Sequence, residues 1–359
     1  MAVALFDTVS PLRPLRAELK GALDRVLESE RYILAQEVNA FEREFAAYCG
    51  VEHAVGVANG TEAITIALRA MGIGPGDEVV VPSFTFYASV EAIPPTGATP
   101  VFCDIDPDTY CVTAETVRAA LTPSTKAVLV VHLFGNVAPV AEITALGLPV
   151  LEDAAQAAGS RSAAGRPGAL GAAGTFSFYP SKNLAAFGDG GMIVTSQEHI
   201  AEQARILRFH GSRDKVDYEQ LGYNSRLDEL QAAILRVQLP HLEGWARGRR
   251  EAGTYYEESG LGELVGLPRP VAGASPAWHL YVVRHQQVER LEGALAAASV
   301  GHKPYYRTPV HRQPPMREWG AGVELAGTEE AARTHLAIPI SPVLTRAQAQ
   351  EVLAAVRGM

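Results

Sequence analysis

Short apolar runs alternate with amphipathic stretches through the first 240 residues. The stretch 61–71 has its apolar residues on one face at helical spacing and predicts a helix. The runs between such stretches are apolar throughout, which is typical of strands buried on both faces. They predict strands at 54–57, at the end of GPGDEVVVP up to Pro82, and at 99–103, 126–134 and 148–153. Strands separated by helices imply a mainly parallel sheet, so we predict an α/β fold.

The pattern changes near Pro240. Residues 241–260 predict a long helix with a polar face that leads away from the sheet. A strand at 278–285, a helix around 287–299 and a closing helix from Thr345 to Val356 predict a smaller α+β unit. We therefore predict a large domain over residues 1–240 and a small C-terminal domain over residues 241–359. The Gly- and Ala-rich segment 162–174 is interpreted as a mobile loop between strands.

The composition indicates a folded, acidic protein. Of the 359 residues, 47% are hydrophobic and 20% are charged, which excludes a disordered chain. The net charge is −9, from 31 Lys and Arg against 40 Asp and Glu, and basic runs are missing, so we expect no nucleic-acid partner. No run reaches the roughly 18 apolar residues of a membrane span, so we expect no membrane association.

The cysteines and the N-terminal residues predict the compartment. Cys49, Cys103 and Cys111 are odd in number and form no CxxC pair, so we interpret them as reduced thiols. The opening MAVALFD has too short an apolar run for a signal peptide. We therefore expect a cytoplasmic protein. The ten histidines form no HxxxH or HxH pair, and we expect no metal site.

Polar residues that follow the predicted strands are candidates for a site, since ligands of parallel sheets lie beyond the carboxyl ends of the strands. Asp153 ends one strand, and Lys182 follows another strand and a short turn. Alone, each has a simpler interpretation, as a capping aspartate and a solvated surface lysine. Together they suit pyridoxal phosphate, which forms a Schiff base with a lysine and needs a carboxylate at its pyridine nitrogen. Partial burial lowers the pKa of such a lysine and frees its amine.

The phosphate group of such a cofactor needs hydrogen-bond donors of its own. Gly60 and Thr61 stand at a strand-to-helix junction, where free N–H groups and the helix dipole attract an anion. Thr61 has the alternative interpretation of a simple helix N-cap. Ser177 is a candidate for a hydroxyl on the same phosphate, and Phe86 is either a ring that stacks on a planar cofactor or a core aromatic.

These residues belong to a set of motifs that spans nearly the whole chain. The motifs are NGTEA, GDEVVVPSFTF, EDAAQAAGS, FSFYPSKNLAAFGDGG and GYNSRLDELQAAI. In this order they resemble the DegT/DnrJ/EryC1/StrS aminotransferases, which are pyridoxal-phosphate enzymes of fold type I that aminate keto sugars, usually nucleotide-linked.

The resemblance implies a role for each matching residue. Lys182 corresponds to the Schiff-base lysine and Asp153 to the partner of the pyridine nitrogen. Asn224 resembles the asparagine that reaches the phosphate of the neighbouring subunit, which implies a homodimer with a shared active site. The remaining matches are the residue beside the pyridoxal ring, the phosphate cradle, the stacking aromatic and the substrate-side residues, namely Gln156; Gly60, Thr61 and Ser177; Phe86; and Tyr306 and His311.

The implied reaction has two halves, with glutamate as the amino donor and a nucleotide-linked keto sugar as the acceptor. The stretch FYPSKNLAAFGDGG resembles the branch acting at C3, so we expect a 3-keto-6-deoxyhexose, with a 4-keto sugar as the alternative. A non-catalytic pyridoxal-phosphate-binding regulator of the same fold is a second alternative.

Two other classes of protein fit less well. GALGAAG at 168–174 has the spacing GxxGxxG and precedes a strand, whereas a dinucleotide fingerprint follows one. GxxxxGK[ST] does not occur, which argues against a P-loop ATPase. His132, at a predicted strand end, is either a satisfied core histidine or a residue of the cofactor pocket.

Overall fold

The computed structural model describes residues 3–359 of the chain. Its strands are β1 (His53–Val57), β2 (Glu78–Pro82), β3 (Thr99–Cys103), β4 (Thr125–Val131), β5 (Val150–Asp153), β6 (Arg161–Ser162), β7 (Ala173–Ser177), β8 (Gly191–Thr195), β9 (Ala274–Ser275), β10 (Tyr281–Arg284) and β11 (His335–Ile338). Its α-helices are α1 (Arg16–Ser29), α2 (Gln36–Cys49), α3 (Gly60–Ala70), α4 (Ala88–Glu91), α5 (Ala114–Ala120), α6 (Val140–Thr144), α7 (Glu198–Arg208), α8 (Glu229–Gln238), α9 (Leu242–Glu258), α10 (Val288–Ala297), α11 (Arg317–Gly320), α12 (Ala326–Thr334) and α13 (Arg346–Arg357).

The central sheet has seven strands in the order β1-β8-β7-β5-β4-β2-β3. Neighbouring strands from β7 to β3 run parallel, whereas β8 is antiparallel to both β7 and β1. The carboxyl ends of β1, β2, β4, β5 and β7 therefore meet at one edge of the sheet. The predicted α/β fold with a mainly parallel sheet is confirmed.

The observed strands follow the apolar runs except at 126–134, where β4 ends early. After Val131 the chain forms a tight turn in which Phe134 has a φ of 59°. His132 begins this turn and is fully buried. Its Nδ1 accepts a hydrogen bond from the Ala138 N–H at 3.0 Å, so Nε2 carries the proton and donates to Glu152 at 2.8 Å. His132 is thus a satisfied core histidine.

The segment 162–174 is not a free loop, and its interpretation as a mobile connection is wrong. Its ends lie in β6 and β7. Between them, the buried carboxylate of Glu152 accepts hydrogen bonds from the N–H groups of Gly168, Leu170 and Gly171 at 2.8, 2.7 and 2.7 Å. The small residues allow close packing here, since a Cβ added to Gly174 would lie 2.3 Å from the Gly168 Cα.

The C-terminal part of the chain contains the antiparallel pair β10 and β11. Apolar side chains of α9, α10 and α13 form a second core cluster with this pair. Val3 joins the same cluster, and its carbonyl accepts a hydrogen bond from the Gly301 N–H at 2.8 Å. The helix α9 begins at Leu242, beside the predicted boundary, and the division into 1–240 and 241–359 stays a prediction. Within residues 3–359, each helix is too short or too polar to cross a membrane.

Candidate active site

A cavity of about 220 Å³ lies at the edge where the parallel strands end. It is lined by residues that follow β1, β2, β5 and β7, together with Val131 at the end of β4. Seven of the ten candidate residues line this one cavity, namely Gly60, Thr61, Phe86, Asp153, Gln156, Ser177 and Lys182. The edge of the sheet therefore gathers candidate residues that are up to 122 positions apart in the chain, from Gly60 to Lys182.

One wall of the cavity is the start of α3. Asn59 is the N-cap of this helix, because its side chain accepts a hydrogen bond from the Glu62 N–H at 2.9 Å. The interpretation of Thr61 as the N-cap is therefore wrong. Gly60 and Thr61 occupy the first two helical positions, whose N–H groups have no partner within a helix. A Cβ at position 60 would lie 2.7 Å from the Ser177 Cβ, so only glycine lets the helix start approach β7 this closely.

Asp153 stands at the end of β5 and is only 4% exposed. Its Oδ2 accepts a hydrogen bond from the Ser89 hydroxyl at 2.7 Å, and its Oδ1 accepts one from the Ala155 N–H at 3.0 Å. A carboxylate has about four lone-pair positions, so two of them are free of these donors. Asp153 lines the cavity and can accept a further hydrogen bond from a group inside it.

Lys182 lies on the turn that follows β7. Burial lowers the pKa of its amine from 10.5 to about 8, and the negative charge of Asp153 opposes that shift. The turn is held on both sides of the lysine. The Lys182 N–H donates to the Tyr179 carbonyl at 2.8 Å, and the Asn183 side chain donates to two carbonyls, of Ala158 and Ala277. The lowered pKa makes much more neutral amine available near neutral pH than an ordinary lysine has, which suits Lys182 to nucleophilic attack and proton transfer.

Gln156 links the cavity to the C-terminal part of the chain. Its Oε1 accepts a hydrogen bond from the Phe134 N–H at 2.7 Å, and its Nε2 donates to the Tyr306 hydroxyl at 3.2 Å. The Tyr306 ring lies 5.9 Å from the ring of Phe86, measured between centroids. Tyr306 is thus beside the cavity, and burial raises the pKa of its phenol.

Two of the candidate residues lie elsewhere. His311 is 2% exposed, and its ring is hydrogen-bonded to Ser83, with 2.6 Å between Nδ1 and the Ser83 Oγ. In this structure His311 therefore does not reach the cavity, and its expected contact with the substrate stays a prediction. Asn224 is exposed outside the cavity of its own chain and pairs with Arg226. The next residue, Ser225, accepts a hydrogen bond from the Ala58 N–H at 3.1 Å, beside the start of α3.

Several residues of the cavity wall were not among the candidates. Those with polar side chains are Asn59, Thr85, Ser89, Tyr179, Ser181 and Asp189. Asn59, Thr85 and Tyr179 each follow a strand within three residues, the same signal that identified Asp153. His279 was also missed. It is buried, and its pKa lies well below the ordinary value because of burial and the positive charges of Lys182 and Arg249.

Metal-ligating side chains do not gather anywhere in the described residues. No group of three or more His, Cys, Asp or Glu residues within 3–359 has the spacing to hold a metal ion.

Comparison with known proteins relates the chain to one family. The sequence model of the DegT/DnrJ/EryC1/StrS aminotransferase family matches residues 14–357. The dTDP-3-amino-3,4,6-trideoxy-alpha-D-glucose transaminase of Streptomyces venezuelae is 45% identical, over 99% of this chain and 95% of that protein. The pleiotropic regulatory protein of Geobacillus stearothermophilus is 43% identical, over 98% of this chain and 97% of that protein.

The fold is also closely similar to that of a solved structure. A crystal structure of S. venezuelae DesV superposes with a TM-score of 0.96 at 44% identity, over 99% of this chain and 98% of that chain. The predicted fold type I architecture and the resemblance noted from the motifs are both confirmed. Enzymes of this family depend on pyridoxal phosphate. The chain therefore belongs to the DegT/DnrJ/EryC1/StrS aminotransferase family.

Proposed function

We propose that this protein is a pyridoxal-phosphate-dependent aminotransferase that converts a nucleotide-linked 3-keto-6-deoxyhexose to the 3-amino sugar, with glutamate as the donor. The observation that supports this most strongly is the meeting of Lys182, Asp153 and the start of α3 around one cavity. An amine, a carboxylate and a helix N-terminus are the three groups that a pyridoxal-phosphate site requires.

The residues of the cavity fit this cofactor. The N–H groups of Gly60 and Thr61 and the Ser177 hydroxyl suit a phosphate, and Asp153 suits a protonated pyridine nitrogen. The volume of about 220 Å³ is below the roughly 300–1,000 Å³ of pockets for drug-sized ligands, so the cavity suits one compact ring with its phosphate. When bound, pyridoxal phosphate supplies an aldehyde that takes up the amino group and a ring that accepts electrons.

Lys182 is the proton carrier of the reaction. Its pKa of about 8 lies close enough to neutral pH for the amine to gain and lose a proton readily, so it can take a proton from the donor's α-carbon and deliver it to the cofactor. With the cofactor bound, Asp153 would hold the proton on the ring nitrogen, and Gln156 would lie beside the ring. Because the amino group stays on the enzyme after the first product leaves and before the keto sugar binds, the kinetics are expected to be ping-pong.

The sugar binds at the mouth of the cavity. The cavity is too small to hold both cofactor and nucleotide sugar, and two aromatic side chains of its wall, Phe86 and Tyr179, are 52% and 55% exposed. Phe86 stacks on the cofactor, and Tyr179 and Tyr306 remain to contact the sugar. The position of the new amine at C3 is supported by the name of the S. venezuelae transaminase. A 4-keto hexose is the alternative substrate.

The proposed assembly is a homodimer in which each subunit completes the other's site. Asn224 is exposed and lies outside the cavity of its own chain, yet its neighbour Ser225 is bonded beside the helix start that suits the phosphate. Leu221 and Tyr218, close by in sequence, are 86% and 62% exposed, as residues of a subunit interface are in a free subunit. Mixed dimers of Lys182→Ala and Asn224→Ala subunits should regain activity, because one of their two sites is intact. If subunits exchange and no activity returns, the shared site is wrong.

The cytoplasm is the proposed compartment. All three cysteines are free and buried in the structure, which suits a reducing environment.

A steady-state assay tests the function. Purified protein with glutamate and pyridoxal phosphate is offered 3-keto and 4-keto dTDP-6-deoxyhexoses, and kcat/KM is compared. We expect the 3-keto sugar to be preferred, and a tenfold preference for the 4-keto sugar, about 1.4 kcal/mol, would overturn the regiochemistry. Cofactor binding without turnover of any keto sugar would instead favour a regulator, the role named for the G. stearothermophilus relative.

A further inference from the structure

The carboxylate of Asp153 is approached by a chain of two buried hydroxyl groups. Ser89 donates to the Asp153 Oδ2 at 2.7 Å, and the Ser89 and Thr85 hydroxyl oxygens are 3.0 Å apart. Ser89 has a single proton to donate, so its contact with Thr85 must be one in which Thr85 is the donor. Both hydrogen bonds therefore point the same way, from Thr85 to Ser89 and from Ser89 to the carboxylate.

Both hydroxyl groups belong to the wall of the cavity but come from a different strand end than Asp153. Thr85 follows β2, and Ser89 lies on the short helix α4. The strand β4 lies between β2 and β5, and its last residue, Val131, is apolar. Thr85 and Ser89 are each 1% exposed, so water does not compete for their hydrogen bonds.

A carboxylate at a strand end rotates about two side-chain bonds unless its oxygens are held. The Ala155 N–H fixes Oδ1 at 3.0 Å, and the Ser89 hydroxyl fixes Oδ2. Hydrogen bonds to an ionised group are stronger than neutral ones, and a preceding donor in the chain polarises and strengthens them further. These contacts orient the carboxylate.

We infer that Ser89, supported by Thr85, is a positioning residue that holds the charged Asp153 carboxylate toward the pyridine nitrogen of the cofactor. The inference rests on the proposed function, because it assigns that nitrogen to Asp153. Ser89 acts through Asp153 and touches none of the reacting atoms. Loss of Ser89 should therefore change the protonation of the ring nitrogen and the affinity for the cofactor.

The test loads the enzyme with pyridoxal phosphate labelled with ¹⁵N in the ring and records the nitrogen resonance and the cofactor dissociation constant. Ser89→Ala should move the resonance toward that of the unprotonated ring and weaken cofactor binding about tenfold. Ser89→Thr keeps a hydroxyl donor and should restore both. The matched control is Thr65→Val, which removes a buried hydroxyl that donates to the Ala92 carbonyl at 2.8 Å, and it should change neither readout.

An unchanged resonance and an unchanged affinity in Ser89→Ala would overturn the inference, as would equal changes in Thr65→Val. If Ser89→Ala does not fold, Thr85→Val decides the matter, with a smaller shift in the same direction expected and no shift contradicting it. Asp153→Asn separates the two proposals. If that variant leaves the resonance unchanged, the assignment of Asp153 in the proposed function has failed, whatever Ser89 does.

Discussion

Glu152 and Asp153 are neighbours on β5, both carboxylates and both buried, yet they face opposite sides of the strand and do different work. Glu152 is 0% exposed and accepts four hydrogen bonds, two at each oxygen, from His132, Gly168, Leu170 and Gly171. Asp153 is 4% exposed and accepts two, with the cavity beside it.

The difference separates a carboxylate that only holds the chain in place from one that can accept a further hydrogen bond. The lone pairs of Glu152 are all used by groups of the chain itself, so it can do no more than hold the segment 162–174 and His132 in place. Asp153 has lone pairs to spare and a partly buried amine, Lys182, in the same cavity. Burial alone does not separate the two residues, whereas the number of filled acceptor positions does.

The largest expected effect is in the cavity that Asp153 lines, at Lys182. Lys182→Ala should lower transamination by about ten-thousandfold or more, because the proton carrier is lost, while the fold is kept. Transamination is measured with glutamate and a keto sugar, and folding by circular dichroism. Lys126→Ala, at an exposed position of β4, is the control and should be fully active. Substantial activity in Lys182→Ala would show that this cavity is not the active site.

Asp153→Asn should lower kcat about a hundredfold, because a neutral amide does not stabilise a protonated pyridine nitrogen. The amide has nearly the same shape as the carboxylate, so the free energy of unfolding should change much less than activity does. Both quantities are measured on one preparation. Turnover like that of the wild type would mean that another carboxylate carries the role.

Glu152→Gln should give the reverse pattern. An amide nitrogen in place of one carboxylate oxygen faces two donors, and the free energy of unfolding should fall by about 3 kcal/mol. Denaturation at fixed protein concentration measures this change. The folded fraction should keep most of its kcat, since no donor of Glu152 lines the cavity. A loss of kcat equal to that in Asp153→Asn would erase the distinction between the two faces.

The smallest expected effect is a shift in a pH profile. Only the neutral Lys182 amine combines with added pyridoxal phosphate, so the rate of combination should rise with pH and level off above about 8. Asp153 raises the pKa of Lys182, and Asp153→Asn leaves the lowering by burial unopposed. The midpoint should therefore move to lower pH in that variant. Stopped-flow absorbance of the apoprotein gives the midpoint, and a shift to higher pH would contradict the expected coupling.

The sequence predicted the sheet and the position of Asp153 and Lys182 at its edge, because both depend on local signals. Apolar runs define the strands, and Asp153 and Lys182 follow such runs directly. The start of α3 was predicted at Thr61, one residue after the observed start at Gly60. Its cap was not predicted, since Asn59 and Thr61 are both suitable capping residues and only the contact with the Glu62 N–H separates them.

Residues that depend on distant partners escaped prediction. Ser89 lies on a four-residue helix, and its partner Asp153 is 64 residues away. The segment 162–174 has the composition of a mobile loop, and only the buried Glu152 reveals that it is held. The position of His311 against Ser83, 228 residues earlier, has no local signal either. The local sequence pattern locates the strand ends, but only the three-dimensional structure shows which residues contact each other.

The most direct test of the account is to find the lysine that carries the cofactor. The chain has five lysines, and Lys20, Lys126, Lys215 and Lys303 are exposed, whereas Lys182 lines the cavity. The enzyme is loaded with pyridoxal phosphate, reduced with borohydride, digested and mapped by mass spectrometry. The account predicts one stoichiometric label, on Lys182, and a label on another lysine or scattered over the surface would contradict it.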